Sequence, residues 1–504
     1  MVNSLIVVPL ISSLVTAAVI SGIWVGAYYI GVKPNQKSDS SNSDPTNQGS
    51  ASTASYPVSA STASHPVLTT PCIQRSPCEY RLVESIPWGI FTNGEKVMNS
   101  TSSAWLDLVN GAESSIEIAS FYWSLLAEDT GDNFTSNDTS TFEGRDFYNA
   151  LINAGKKGIS IKIAQNTAVG GYPETANLEK NGWAQVRSLN FTNFEGSGIL
   201  HTKTMVVDRK HFYVGSANYD WRSLTQVKEL GAAVFNCPCL ADDVGKILDV
   251  YWQMGVPNAQ IPDKWPDSVA TVYGSQNPLS VRLNQENDVV YFSASPPDFR
   301  AGARTGDIDA ILNVINTATQ FVHIEVMDYA PTTLYMQRNY YWPLIDDALR
   351  NAAFQRQIHV RLLMGRWVHT YTEFYSYLYS LQNLNVSLPC LPRGSKDCKR
   401  GTIEVRLFEV PPYKEIPNIP YARVNHAKFM VTDNTAYIGT SNWSGDYFIS
   451  TGGIGMIIQA GDSSQTSQVV QELNDVFIRD WNSNYSTPIT DYDLKGNPIN
   501  SNNL

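Results

Sequence analysis

The first 32 residues contain no charged side chain, since the first one in the chain is Lys33. The apolar run over residues 5–32 is long enough to cross a bilayer, which takes about 20 apolar residues. A cleaved signal peptide is the alternative, but its apolar core usually spans only about 7–15 residues. We therefore predict a signal-anchor transmembrane helix over residues 1–33. Residues 34–70 have too few apolar side chains to fold and predict a flexible Ser/Thr/Pro-rich stalk.

The chain also lacks the positive charge excess of a duplex DNA-binding protein. It has 36 Lys and Arg against 47 Asp and Glu, a formal net charge of -11. Because affinity for duplex DNA comes largely from neutralising phosphates, this balance argues against a chromatin-type role, although it allows a local basic cleft. A length of 504 residues, 43% of them hydrophobic, predicts two or three folded units with a large core.

Cysteine is scarce, and the usual zinc-binding spacings are missing. The six cysteines form three groups, which are Cys72 with Cys78, Cys237 with Cys239, and Cys390 with Cys398. An even count in such groups favours disulfides, the first two groups joining the start of the folded region to its middle. A zinc site is the alternative, but these spacings suit it poorly and no histidine lies beside them.

The asparagine sequons, like the cysteines, favour a lumenal location for the folded part of the chain. We expect glycosylation at Asn99, Asn133, Asn137, Asn190, Asn385 and Asn484. A seventh sequon, at Asn442, falls within a candidate active site and is expected to stay unmodified. Sequons and disulfides together favour a lumenal chain. The positive-inside rule weakly opposes this, because Lys33 and Lys37 follow the apolar run.

Beyond the stalk the sequence repeats itself. Apolar strand-like runs at 116–122 and 159–164 flank a helical pattern at 145–157, and the same order recurs at 321–327, 342–355 and 358–364. Alternating strands and helices at this spacing predict an α/β fold with parallel or mixed sheets. We place the two repeats at residues 71–275 and 276–504.

Each repeat carries one H-x-K-x4-D motif followed by G-[ST]-x-N. The candidate catalytic residues are His201, Lys203 and Asp208 in the first copy, and His426, Lys428 and Asp433 in the second. Residues i and i+2 of a strand share a face, so the His and Lys of each motif should project together. The two aspartates suit positioning of the hairpin better than acid/base catalysis. Two full copies are hard to obtain by chance and predict one site shared by both repeats.

This set of side chains suits phosphodiester cleavage. One neutral imidazole can attack phosphorus and form a phosphohistidine, while the other donates a proton to the leaving oxygen. The two lysines, with Asn218 and Asn442, can stabilise the non-bridging oxygens. The lysines make a metal unnecessary, and the sequence shows no carboxylate cluster to hold one. Glu229 is predicted to orient His201 through its second ring nitrogen.

Residues 215–231, 419–433 and 437–445 resemble the phospholipase D superfamily, in the branch of the mammalian lysosomal phospholipase D family members three and four. The resemblance implies two α/β/α sandwich repeats packed around one shared active site. It also implies a type II membrane precursor that travels through the endoplasmic reticulum and Golgi to endosomes and lysosomes, with release of a soluble lumenal form. The relatives place a glutamate where this chain has Ser450, so the orienting carboxylate is expected only in the first repeat.

The implied activity is a 5′-to-3′ exonuclease on single-stranded DNA and RNA, without a cofactor, with His201 as nucleophile and His426 as general acid. The alternative is a phospholipase or transphosphatidylase on membrane or lysosomal phospholipids. An inactive scaffold is disfavoured because no motif residue is lost. Expected partners are the nucleic acid or lipid substrate, the membrane through the N-terminal helix, and a second copy of the chain. Base-stacking candidates, with core packing as their alternative, are Tyr122, Trp123, Tyr219 and Trp443.

Overall fold

The computed structural model describes residues 72, 74, 76–130, 139–415, 419–461 and 467–499. The predicted transmembrane segment and stalk, and the sequons Asn133 and Asn137, lie outside these residues. Within the described ranges, no helix combines the length and the apolar character needed to cross a membrane.

A mixed sheet of eight strands forms the framework of the first repeat. Its strands are β1 (Glu79–Ser85), β2 (Asn99–Ser100), β3 (Ser115–Ser120), β5 (Ser160–Asn166), β6 (Gln185–Leu189), β7 (Lys203–Val207), β8 (His211–Gly215) and β10 (Glu229–Phe235). They follow the order β2-β1-β10-β8-β7-β3-β5-β6. Two short strands, β4 (Trp123–Ser124) and β9 (Tyr219–Asp220), pair separately.

A second mixed sheet repeats this arrangement. Its strands are β11 (Leu279–Leu283), β12 (Glu286–Ser295), β13 (Thr305–Gly306), β14 (Phe321–Val326), β15 (His359–Arg366), β16 (Thr402–Glu409), β17 (Lys428–Thr432), β18 (Thr435–Gly439), β19 (Gly453–Ala460) and β20 (Ser486–Pro488). The order is β11-β12-β19-β18-β17-β14-β15-β16-β20, with β13 beside β12. The central pairings match between the sheets, since β7 and β17 each lie antiparallel to a hairpin partner and to β3 or β14.

Helices cover both faces of each sheet. They are α1 (Thr101–Asn110), α2 (Phe142–Lys156), α3 (Pro173–Lys180), α4 (Thr192–Glu195), α5 (Trp221–Thr225), α6 (Pro238–Met254), α7 (Asp307–Thr317), α8 (Leu344–Gln355), α9 (Thr372–Asn383), α10 (Asp446–Ile449) and α11 (Gln468–Trp481). Helix α6 contacts β3, β5 and β7 but also β12, and α11 contacts β14 and β17 but also β1. These two helices therefore lie in the layer between the sheets.

The alternation of side chains along β7 shows why the sheet of the first repeat packs against two separate cores. Val206 faces the central core that both repeats share, together with residues of α6 and α11. Met205 and Val207 point the other way, into a core of the first repeat alone. Successive strand residues face opposite sides of a sheet, so a continuous apolar run such as β7 is buried on both faces.

Three disulfides confirm the prediction from the cysteine groups. They join Cys72 to Cys239, Cys78 to Cys237, and Cys390 to Cys398. The first two connect the start of the folded region to the beginning of α6, as expected. Such bonds are typical of a secreted or lumenal protein.

The sequons differ in their access to solvent. Asn99, Asn190 and Asn484 are exposed, whereas Asn385 is half-buried and its side chain accepts a hydrogen bond from the Ile403 N–H. Asn442 is 4% exposed, which leaves no room for a glycan. Glycosylation at the other sites stays a prediction.

Candidate active site

Backbone hydrogen bonds between the repeats position both motif histidines. The N–H of His201 donates to the carbonyl of Gly452 at 2.8 Å, and the N–H of His426 donates to the carbonyl of Lys228 at 2.8 Å. Each contact joins the segment before a motif strand to the segment that opens β19 or β10. Equivalent hydrogen bonds thus run from the first repeat to the second and from the second repeat to the first. Each histidine is held by the repeat to which it does not belong.

The two motif lysines are buried beside these histidines. Strands β7 and β17 begin at the lysines, so each histidine lies just before its strand. Lys203 Nζ donates to the His201 carbonyl and Lys428 Nζ donates to the His426 carbonyl, each at 2.6 Å. Burial lowers the pKa of Lys203 well below its ordinary value and that of Lys428 to about 7, and the Lys428 charge adds to the effect at Lys203. A phosphate between these ammonium groups would relieve their repulsion.

His201 lies between two aromatic rings. Its ring centroid is 5.0 Å from that of Phe121 and 5.0 Å from that of Tyr447. Nδ1 lies 3.0 Å from the Thr440 carbonyl oxygen, so Nδ1 must carry the proton and Nε2 keeps its lone pair. Burial, and then the charge of Lys203, holds the His201 pKa well below 6.5. This is the neutral form that a nucleophile requires.

The carboxylate of Glu229 contacts the other histidine. Its two oxygens lie 2.8 and 3.0 Å from Nδ1 of His426. The prediction that Glu229 orients His201 is therefore wrong. The N–H of His426 binds the carbonyl of the preceding residue, Lys228, which turns the Glu229 side chain towards the second repeat. Burial raises the pKa of Glu229 to about 7, although Lys428 opposes the shift.

The second repeat has no carboxylate at the position that matches Glu229. The pairing of β10 with β8 and of β19 with β18 makes Gly453, which opens β19, the counterpart of Glu229, which opens β10. A Cβ atom at Gly453 would lie 2.2 Å from Ser441 Oγ. Ser450, which the sequence comparison set against Glu229, instead has its hydroxyl 3.1 Å from that of Ser197. The two half-sites are unequal because the chain has glutamate at position 229 and glycine at the equivalent position 453.

The motif aspartates lie away from the histidines. Asp208 accepts hydrogen bonds from the N–H groups of residues 113–115, and Asp433 from those of residues 319 and 320. Partial burial alone would raise the pKa of each carboxyl, but these hydrogen bonds bring it below its ordinary value. A five-residue strand, about 16 Å long, separates each aspartate from its lysine. Their place among the candidate catalytic residues was wrong, and they hold the hairpins, as their position after the strand suggested.

The two motif asparagines differ in their hydrogen bonding. No described residue accepts a hydrogen bond from Asn218 Nδ2, so this amide can donate to a substrate. Asn442 Nδ2 donates to Asp328 Oδ2 at 3.1 Å and to the Tyr447 hydroxyl at 3.2 Å. Both Oδ1 atoms are buried without a hydrogen-bond donor among the described groups. The expected phosphate contact is therefore available at Asn218 but not at Asn442 in this state.

A buried ion cluster behind His426 was missed by the sequence analysis. Lys228 is inaccessible to solvent, and its Nζ lies 2.8 Å from Glu325 and 2.7 Å from Asp480 in the second repeat. Its carbonyl accepts the His426 N–H and its neighbour is Glu229. The cluster thus fixes the start of β10 against the second repeat. Within the described residues, no group of three or more His, Cys, Asp or Glu side chains is arranged to hold a metal ion.

The four aromatic residues proposed for base stacking are all in the core. Tyr122, Trp123, Tyr219 and Trp443 are at most 6% exposed, which favours the core-packing alternative for them. A different group lies at the surface. The His369 ring stacks on Tyr421 with centroids 5.0 Å apart, and Trp367 meets His369 edge-on at 4.6 Å. We call these three residues the aromatic cluster.

The aromatic cluster lies next to the active-site wall. Tyr421 belongs to the segment that leads into His426, and Trp367 packs against a small apolar group that contains Met327. Met327 Sδ in turn lies 4.0 Å from Asn442 Nδ2. The cluster brings together two parts of the second repeat that are distant in sequence. Sequence analysis could have noticed only that a Trp and a His follow β15.

Known proteins of one family match this chain. The model of the PLD3/4, PLD-like domain matches residues 93–393, and that of the cardiolipin synthase, PLD-like domain matches residues 311–481. The 5′-3′ exonuclease PLD3 of Xenopus laevis is 44% identical over 412 residues, 81% of this chain and 80% of the relative.

Two further relatives agree with this assignment. The 5′-3′ exonuclease PLD3 of Homo sapiens is 41% identical over 432 residues, 85% of this chain and 84% of the relative. The probable phospholipase D F09G2.8 of Caenorhabditis elegans is 42% identical over 422 residues, 83% of this chain and 72% of the relative. Together with the paired motifs at one interface, these matches show that the chain belongs to the PLD3/4 family of phospholipase D-like proteins.

Proposed function

We infer that this protein is a metal-independent phosphodiesterase that acts as a 5′-to-3′ exonuclease on single-stranded DNA and RNA. The observation that carries this function is the meeting of two imidazoles and two buried ammonium groups where the repeats join. The relatives named as 5′-3′ exonucleases support the direction of cleavage. A phosphodiester bound here would have a nucleophile, a proton donor and two cations within one group of side chains.

The first chemical step uses both histidines. Nε2 of His201 attacks phosphorus, and the P–O bond to the leaving nucleoside breaks as a P–N bond forms. Nε2–H of His426 gives its proton to the departing oxygen. Lys203, Lys428 and Asn218 stabilise the negative charge on the non-bridging oxygens. In the second step His426 takes a proton from water, which attacks phosphorus and releases His201.

Glu229 supports this division of roles between the histidines. Burial, and then the charges of Lys428 and Lys203, lower the pKa of His426 as well, but Glu229 contacts this ring and not His201. An ionised carboxylate beside an imidazole favours its protonated form, so we assign His426 as the proton donor to the leaving group. His201 has only a carbonyl on Nδ1 and stays neutral. We therefore keep His201 as the proposed nucleophile, but for a reason opposite to the one that the sequence suggested.

The aromatic cluster favours nucleic acid over phospholipid as the substrate. Base stacking on an aromatic ring contributes about 1–3 kcal/mol per base and tolerates any sequence. We expect Tyr421→Ala to raise KM for a single-stranded oligonucleotide by about 5- to 100-fold with little change in kcat. Steady-state kinetics on the oligonucleotide and on bis(p-nitrophenyl) phosphate would separate a loss of base stacking from a loss of catalysis. The small ester is too short to contact both the catalytic residues and the aromatic cluster.

A matched control is Phe354→Ala, which removes an exposed ring on α8 outside the cluster. This variant should leave both substrates unaffected. An equal loss of activity on both substrates in Tyr421→Ala would indicate a structural role and contradict base stacking.

The compartment and assembly of the protein also remain proposals. The disulfides and the exposed sequons support a lumenal body. The apolar N-terminal run supports a membrane anchor, and the PLD3/4 family membership supports the type II orientation and delivery to endosomes and lysosomes. The division into repeats at residues 71–275 and 276–504 stays a proposal, and a second copy of the chain is a candidate partner.

The function is tested with the purified protein at about pH 5 in the presence of a metal chelator. Single-stranded oligonucleotides with a 5′-hydroxyl or a 5′-phosphate and phospholipid vesicles are offered in parallel. We expect stepwise release of nucleotides from the 5′ end. Turnover of phospholipid without nucleotide release from either oligonucleotide would establish the phospholipase alternative instead.

A further inference from the structure

The amide of Asn442 faces an acid that its counterpart in the first repeat lacks. Strand pairing places Ser120 opposite Lys203 and Val326 opposite Lys428, so Asp328 corresponds to Tyr122. Tyr122 donates its hydroxyl to Asp220. Asp328 instead accepts a hydrogen bond from Asn442 and leaves its other carboxylate oxygen without a described partner.

The orientation of the Asn442 amide follows from the charge of Asp328. An ionised carboxylate only accepts hydrogen bonds, so Nδ2 must face it and Oδ1 must point away. Oδ1 of Asn442 is then buried without a donor, which is a costly arrangement. A protonated Asp328 could donate a hydrogen bond to Oδ1, and the Tyr447 hydroxyl could do the same. A half-turn of the amide would then place Nδ2 where Oδ1 lies now.

We propose that Asp328 is a positioning residue whose protonation turns the Asn442 amide so that its NH2 group donates to the substrate phosphate. In the ionised state only Asn218 offers a free amide to the phosphate. In the protonated state both repeats do. The inference rests on the proposed phosphodiesterase function and makes the site work better in acid.

The surroundings of Asp328 place this change near neutral pH. Burial raises the pKa of Asp328 to about 6, opposed by the charge of Lys428. The other titratable groups that face it are the hydroxyls of Tyr335, Tyr371 and Tyr447. Burial raises the pKa of all three, so they remain neutral donors while Asp328 titrates.

The test is Asp328→Asn, which has the same shape and can donate to Oδ1 of Asn442 at every pH. Wild-type Asp328 with a pKa of about 6 is protonated in roughly one molecule in ten at pH 7. The ratio of variant to wild-type kcat/KM on a single-stranded oligonucleotide should therefore rise by up to about tenfold from pH 5 to pH 7. Glu229 titrates in both proteins, so its effect cancels in the ratio, whereas loss of the Asp328 charge lowers the pKa of Lys428 in the variant and works against the rise. A constant ratio would overturn the proposal.

Asp446→Asn is the matched control, since it removes the same charge beside Tyr447 and should keep the wild-type pH profile. A second readout does not depend on catalysis. Sulfate keeps its charge throughout this range, and its affinity, measured by calorimetry, should fall from pH 5 to pH 7 in the wild type but less in Asp328→Asn. If sulfate shows this difference while no oligonucleotide is cleaved, the amide switch is correct and the nuclease function is wrong. Equal falls in both proteins would refute the switch.

Discussion

Replacing either His201 or His426 with alanine is expected to reduce oligonucleotide cleavage by roughly 10⁴-fold or more, as for other catalytic groups that act as a unit. Each change removes an imidazole that no neighbour can replace, because the remaining cations near phosphorus are lysines. The two variants should nevertheless differ on an ester with a good leaving group. p-Nitrophenolate leaves without a proton, so His426→Ala should still form the phosphohistidine at His201.

This difference identifies the nucleophile directly. Mass spectrometry of His426→Ala after incubation with bis(p-nitrophenyl) phosphate should detect a phosphorylated peptide that contains His201. His359→Ala is the control, since that histidine is exposed on β15 and contacts Thr402 rather than the site. It should keep full activity. Phosphorylation of His426 in a His201→Ala protein, with none at His201 in the converse variant, would reverse the two roles.

Replacing Glu229 with glutamine is expected to lower kcat by about 10²- to 10⁴-fold, by analogy with a catalytic histidine that loses its carboxylate. Glutamine can still accept the His426 Nδ1–H but cannot balance the charge of the imidazolium. His426 then holds a proton only at lower pH, so the residual activity should shift towards acid. Measurement of kcat across pH 4 to 8 tests this shift.

Two comparisons separate this effect from a loss of structure. Glu117→Gln removes a carboxylate of the first repeat that pairs with Arg209 at its surface, and it should change kcat little. The p-nitrophenyl ester should suffer less than the oligonucleotide in Glu229→Gln, because its leaving group needs no acid. Equal losses on both substrates would show that Glu229 orients the nucleophile, as the sequence had suggested.

The repeated elements were predicted from sequence to within a few residues. The expected helix at 145–157 is α2 (Phe142–Lys156), and the expected strand at 358–364 is β15 (His359–Arg366). The hydrophobic periodicity of these segments is local and strong, so tertiary contacts did not change the secondary structure that it specifies. The pairing of the first two cysteine groups was also predicted, since both groups flank the same compact repeat.

The partner of Glu229 could not be predicted, because it depends on contacts between the repeats. In sequence Glu229 is 28 residues from His201 and far from His426, so proximity along the chain pointed to the wrong ring. The aromatic cluster was missed for the same reason. The four stacking candidates adjoin the site in sequence, but their side chains are buried in the core.

The sequence alone identified the side chains that we propose for the chemistry. Two H-x-K motifs in matching repeats specify two imidazoles and two ammonium groups, because the residue types themselves carry those functions. Only the tertiary structure decided how the two halves differ. The segment that opens β10 crosses to the second repeat and gives Glu229 to His426, whereas the equivalent Gly453 lies close to Ser441 and offers His201 no carboxylate. Contacts between the repeats thus decide which histidine receives the carboxylate of Glu229.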